Sequence, residues 1–171
     1  MSSWYAIRVF FNRLETIEAD LQEKGIETYV PRVVVKTREG ARTKVVRKPV
    51  IPSIIFVHCE EGELIEYKQA NYDKLMFYAN RETRRPDPIR EREMELFRIA
   101  VEAQDSGLEF IGEDRPEYHQ GERVRVTDGI YKGTEGYIRR IKKDKRLLVC
   151  LSGVAVVATS YIPANFLEKV L

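Results

Sequence analysis

The 171-residue chain has only two cysteines, two histidines and one tryptophan, and no apolar run in it exceeds five residues. Each scarcity removes a class of protein. Two cysteines cannot build the disulfide framework of a small secreted domain, so a reducing cytoplasm is the expected setting. Runs of five, such as residues 154–158, fall far short of a bilayer span, which takes roughly 20 residues, so no membrane partner is expected. The start, MSSWYAIRVFFNRL, carries Arg8 inside its apolar stretch and lacks the order of a signal peptide. His58 and Cys59 are adjacent, so in a strand they face opposite ways, and His119 and Cys150 stand isolated in the sequence. No metal and no cofactor are therefore expected. Gly129 to Gly136 lacks the order of a phosphate-binding loop. No acid–base pair stands out among the 27 carboxylates, so no catalytic residues are expected.

A dominant charge is also missing, since 29 basic against 27 acidic side chains leave a net +2. The total conceals a division. Residues 1–105 hold 18 basic and 18 acidic groups, residues 106–118 one and four, and residues 119–171 ten and five. With Gly107, Gly112 and Pro116 in it, the middle stretch reads as an acidic linker. It would join a neutral domain (1–105) to a basic one (119–171).

The first part reads as α+β. Trp4 to Phe10 is aromatic and β-branched, as strands are. Asn12 and Glu15 fit a capping box for a helix whose apolar face is Leu14, Ile17 and Leu21, ended by Gly25. Residues 29–37 and 43–50 form a hairpin about Glu39-Gly40, and residues 53–58 another strand. An amphipathic turn follows at residues 64–69, then a short apolar stretch at 75–78 and a helix begun by Asp87-Pro88. The second part alternates with the strand period, giving five short strands and a small all-β barrel. Its Val149, Val154, Val156, Val157, Thr159 and Ile162 favour strand, so no helical alternative is expected.

Several of these segments resemble a known family. Trp4-Tyr5-Ala6-Ile7-Arg8, the Tyr29-Val30-Pro31 step and Lys48-Pro49-Val50-Ile51-Pro52 before Ile54-Ile55-Phe56-Val57 resemble the amino-terminal domain of NusG-type transcription elongation factors. Gly121 to Gly129 and Tyr131-Lys132-Gly133-Thr134-Glu135-Gly136 resemble a KOW motif, which forms an SH3-like barrel in that family. The resemblance implies an α+β antiparallel sheet with packed helices followed by a small barrel. It also implies a cytoplasmic, non-enzymatic monomer that binds RNA polymerase at the clamp and suppresses pausing or termination.

It further implies roles for particular residues. Trp4, Arg8, Ile54 and Phe56 correspond to the polymerase-binding patch, and strand alternation puts Trp4 with Arg8, and Ile54 with Phe56, on shared faces. Glu66 to Tyr72 interleaves aromatic, amide and basic groups where specialised paralogs of the RfaH type touch non-template DNA, making Tyr67, Lys68, Gln69 and Asn71 candidates, with Tyr72 beside them. Arg42, Lys44, Arg47 and Lys48 of the hairpin, with Arg38, form a basic surface for polymerase or DNA backbone. In the second domain Gly129, Lys132, Gly133 and Gly136 carry the motif, and Arg139, Arg140, Lys142 and Lys143, continued by Lys145 and Arg146, suit nascent RNA or another polyanion. Ser152 stands where the family has an aromatic that contacts Rho or a ribosomal protein, so those partners are disfavoured and the barrel's partner stays open. That substitution and the carboxyl end, Ser160 to Leu167, resemble the operon-specific antiterminators of the UpxY type, which act on polysaccharide operons. The alternatives are a general NusG-type factor, or a KOW-type RNA- or ribosome-binding protein without a polymerase partner.

Overall fold

The computed structural model describes all residues, Met1–Leu171. The first elements are β1 (Ser3–Val9), α1 (Leu14–Glu23), β2 (Glu27–Tyr29), β3 (Arg32–Glu39), β4 (Arg42–Pro49), β5 (Ile54–Cys59), α2 (Glu61–Ala70), β6 (Leu75–Phe77) and α3 (Glu91–Glu102). Then come β7 (Glu109–Gly112), a 3-10 turn (Pro116–His119), β8 (Arg123–Val126), β9 (Glu135–Ile141), β10 (Asp144–Leu151), β11 (Ala155–Tyr161), a second 3-10 turn (Ala164–Phe166) and β12 (Leu167–Lys169). The chain divides into two compact units, Met1–Val30 with Ile51–Glu91, and Pro31–Val50 with Arg92–Leu171. No helix is long and apolar enough to cross a membrane.

The first unit is built on a four-stranded antiparallel sheet in the order β2-β5-β1-β6. Alternation puts Tyr5, Ile7 and Val9 of β1, with Ile55, Val57 and Cys59 of β5, on one face. There they pack with Ile17 and Leu21 of α1 and with Leu64 and Tyr67 of α2. Helix α1 departs from expectation at its start. Arg13 occupies the N-cap position without a side-chain cap bond, and Asn12 lies at φ 55°, so the Asn12–Glu15 capping box does not form. Gly25 ends this helix as expected, at φ +77°, where other residues are strained. Helix α3 begins at Glu91, not at Asp87-Pro88. The backbone N–H groups of Asp87 and Ile89 donate to the carbonyls of Tyr78 and Trp4 at 3.0 and 2.8 Å, so this segment extends the sheet before the helix can start.

In the second unit, β3 and β4 form a two-stranded hairpin. The six-stranded antiparallel sheet runs β12-β8-β9-β10-β11-β7. The five strands expected for the barrel are all present, and β7 adds a sixth. It comes from the stretch expected to be a linker, because Glu109–Gly112 pairs with the free edge of β11. Gly136 is dictated by close approach: a Cβ there would lie 1.9 Å from the Leu148 carbonyl oxygen on β10. The buried Glu135 carboxylate is held by Arg92 at 2.7 Å and Arg125 at 3.3 Å, which fastens the first turn of α3 to this sheet.

Candidate nucleic-acid interface

Helices α1 and α2 of the first unit flank a groove of about 640 Å³ lined by Arg13, Thr16, Asp20, Lys24, Asn71 and Lys74 among others. Three cations face one carboxylate. Asp20 accepts hydrogen bonds from the Tyr67 hydroxyl at 2.7 Å and the Lys24 ammonium at 3.2 Å. The Tyr67 hydroxyl holds the Asp20 carboxyl below its ordinary range, burial opposing and Lys24 assisting. Asp20 is therefore ionised and engaged, and the remaining groove charge is positive.

Two turns meet at this groove. The N–H of Phe10 donates to the Lys74 carbonyl at 2.8 Å, joining the turn after β1 to the turn before β6. Each turn presents an aromatic ring to solvent, Phe11 at 80% exposure and Tyr72 at 74%. Phe11 and Asn12 have φ of 56° and 55°. Consecutive left-handed non-glycine residues, one of them bulky, carry a conformational cost that concentrates at functional sites. A cationic groove with exposed rings on the adjoining turns combines attraction for a phosphate backbone with surfaces on which unpaired bases stack.

This arrangement revises the residues expected from sequence. Tyr67 is buried at 5% exposure and belongs to the core, where burial and Asp20 push its hydroxyl pKa up. Asn71 is buried too, and its side-chain amide donates to the Tyr67 carbonyl at 2.9 Å. The buried Tyr67 ring offers no face on which a base could stack, and the Asn71 amide nitrogen is engaged within α2 although its side chain lines the groove. Lys68 is partly exposed and Gln69 exposed, and of the two tyrosines it is Tyr72 whose ring faces solvent. Phe11, Arg13 and Lys74 escaped the sequence reading; the consecutive aromatics Phe10-Phe11, followed by Arg13, were the available signal.

The other expected surfaces separate likewise. Trp4, Ile54 and Phe56 share one sheet face as expected but are 5%, 2% and 0% exposed. The Trp4 ring lies against His58 with centroids 5.0 Å apart. Arg8, on the same face, is partly exposed and donates to the Tyr78 hydroxyl at 2.7 Å. On the β3–β4 hairpin all four expected cations are exposed. The register puts Arg42, Lys44 and Lys48 on one face and Arg47 on the other, with Lys36 and Arg38.

In the six-stranded sheet, Gly129 and Gly133 have φ of +84° and +93° and shape the turn before β9, while Lys132 is exposed. Arg140, Lys142, Lys143 and Lys145 are exposed around the β9–β10 turn. Arg146 is not part of that surface. It is buried, its guanidinium donating to the Thr159 and Gly107 carbonyls and to Glu109. Arg139 is partly exposed and donates to the Glu117 carbonyl. Ser152 meets the Glu93 carboxylate through both its N–H and its hydroxyl. Both thiols are poor nucleophiles: burial, with Glu63 nearby, pushes Cys59 up to about 11, and burial, with Asp114 and Glu93 nearby, pushes Cys150 up to about 12. His119 and Cys150, isolated in sequence, come together beside Asp114.

Comparisons with known proteins agree on one family. The family described as "Transcription termination factor nusG" matches residues 2–98. The Haemophilus influenzae transcription termination/antitermination protein NusG is 26% identical over 160 residues, covering 87% of this chain and 84% of that protein. Its Pseudomonas aeruginosa counterpart is 28% identical over 151 residues, covering 84% and 79%. A solved structure concerning domain interaction in Thermotoga maritima NusG superposes with a TM-score of 0.50 at 18% identity, covering 100% of this chain and 98% of the other, which establishes the shared α+β fold. With more than half its length matched by the family, the chain belongs to the NusG family of transcription termination and antitermination factors, which are not enzymes.

Proposed function

We propose that this protein binds RNA polymerase during elongation, suppresses pausing or termination, and contacts the exposed non-template strand through the α1–α2 groove. Membership of the NusG family across residues 2–98, the part of the chain containing that groove, carries this reading. The groove's net positive lining and the exposed Phe11 and Tyr72 support the nucleic-acid component. Residues 1–105 would supply the polymerase contact. Arg8 is the member of the Trp4, Arg8, Ile54 and Phe56 face already reachable from solvent, and the three buried side chains must be uncovered to take part. The β3–β4 cations would follow upstream DNA backbone or an acidic polymerase surface, and the exposed lysines of the β9–β10 turn would attract nascent RNA. An operon-specific rather than general role rests on Ser152 in place of the family aromatic.

The test is transcription in vitro with the host's own polymerase on the leader upstream of the gene, paired with binding to elongation complexes. The wild-type protein should associate and shorten pauses, and failure to associate sinks the proposal. Phe11→Ala and Tyr72→Ala should each weaken binding to the non-template strand by about tenfold, since stacking contributes roughly 1–3 kcal/mol per base. Their melting temperatures should not change. Tyr67→Phe should do the reverse, lowering stability and leaving DNA affinity intact. Equal DNA affinity in Tyr72→Ala and wild type would remove the groove from the mechanism.

A further inference from the structure

The geometry points to a transition-metal site in the second unit, in which Asp114, His119 and Cys150 bind a zinc-like divalent cation. Three separate pieces of chain supply the ligands. Asp114 follows β7, His119 ends the first 3-10 turn, and Cys150 lies on β10. One carboxylate oxygen, one ring nitrogen and the thiol sulfur all lie within 4.8 Å of one another. Ligand atoms around a tetrahedral zinc are roughly 3.3–3.8 Å apart, given bond lengths of about 2.0–2.3 Å. Side-chain movements of about an ångström therefore convert the cluster into three corners of a tetrahedron.

An ion pair accounts for part of this cluster. His119 Nε2 lies 2.7 and 3.0 Å from the two Asp114 carboxylate oxygens. It does not account for the thiol, whose hydrogen-bond partner is the Tyr118 carbonyl at a weak 3.9 Å. The surroundings resemble the outer support of a metal centre. The Gly153 N–H donates to Asp114 at 2.9 Å, fixing the carboxylate, and the Tyr137 ring lies against His119 with centroids 5.8 Å apart. The His119 side chain is 32% exposed, leaving solvent access for the ion and for water at the fourth position. A nitrogen, oxygen and sulfur donor set selects zinc or cobalt over magnesium or calcium, which take oxygen ligands. The bound ion would clip residues 113–119 to β10, joining the stretch between the two expected domains to the six-stranded sheet.

Titration of the full chain with Co²⁺ tests the site, because thiolate ligation produces a near-ultraviolet charge-transfer band that histidine and carboxylate alone do not. A band that saturates at one ion per chain and is displaced by Zn²⁺ is expected. It should vanish in Cys150→Ser and survive in Cys59→Ser. His119→Gln and Asp114→Asn should weaken binding by roughly tenfold or more. Zn²⁺ should raise the melting temperature of wild type and not of His119→Gln, an arm that remains readable if Cys150→Ser does not fold. No saturable band, or a band that disappears in Cys59→Ser and persists in Cys150→Ser, overturns the proposal.

Discussion

The α1–α2 groove and the six-stranded sheet both contain arginines and lysines, but the groove turns its cations to solvent while the sheet, with lysines exposed at its turns, turns one arginine inward. Around the groove, Arg13, Lys24 and Lys74 line an opening to solvent with a single carboxylate among them. In the sheet, Arg146 is 8% exposed, with its guanidinium turned inward on two carbonyls and Glu109. A guanidinium so enclosed and paired with Glu109 contributes mainly to the fold and adds little net charge to the field felt by a polyanion. The +5 counted over residues 119–171 therefore overstates the sheet's attraction for nucleic acid, while the balanced charge of residues 1–105 hides a locally positive groove. Charge per segment is a property of the chain; charge at a surface is a property of packing.

The comparison can be broken most sharply at Gly136. A Cβ there would overlap the Leu148 carbonyl, so Gly136→Ala must separate β9 from β10. A loss on the order of 3 kcal/mol or more is expected, visible as collapse of the second unit's thermal transition. A melting curve unchanged from wild type would show that the strands approach less closely than described.

Next is the contrast between Arg146 and its exposed neighbours. Arg146→Met leaves the Thr159 and Gly107 carbonyls and Glu109 without their donor and should cost about 2–3 kcal/mol in a denaturant melt. The double substitution Lys142→Ala with Lys143→Ala should stay within about 0.5 kcal/mol of wild type, as exposed positions do. It should also reduce the salt dependence of RNA binding, the slope falling by about one for each phosphate no longer neutralised. Equal stability losses in the two variants would erase the distinction between inward and outward charge.

The smallest effect concerns Asp105. Burial raises the pKa of this carboxyl, yet Ser160, the Gly107 N–H, the Tyr131 hydroxyl and Arg146 together hold it below its ordinary value. A carboxyl depressed in the folded state contributes stability that is complete above its unfolded pKa. That contribution is lost as pH falls through the lower folded value. Asp105→Asn should therefore be less stable at neutral pH and show a shallower acid destabilisation than wild type below the ordinary aspartate range. Parallel stability–pH profiles for the two proteins would mean that Asp105 carries no such coupling.

Much of the architecture was legible because it depends on neighbours along the chain. Alternation in residues 4–9 and 54–57 assigned the two faces of β1 and β5 correctly, since side-chain direction in a strand follows from backbone geometry alone. Gly25 and Gly40 marked a helix end and a hairpin turn because both adopt positive φ, at +77° and +61°. Family membership came through the same local segments. Asn12 shows where local rules fail. It has the chemistry of a cap, but the bond from Phe10 to Lys74 joins its turn to a distant one, and it takes a left-handed conformation instead.

The sequence by itself determined the α+β order, the strand-rich second half, the turns and the family, all of which rest on residues close together in the chain. Only the tertiary structure decided that Tyr67 is core while Tyr72 is surface, that Arg146 points inward, and that Asp114 and His119 lie beside Cys150. Tyr67 and Tyr72 are five positions apart and chemically alike, and what separates them is that Tyr67 packs into the core against distant strands and α1, where an aspartate 47 residues earlier accepts its hydroxyl. Burial and partnership arise from where distant segments meet, and neither composition nor period encodes that meeting.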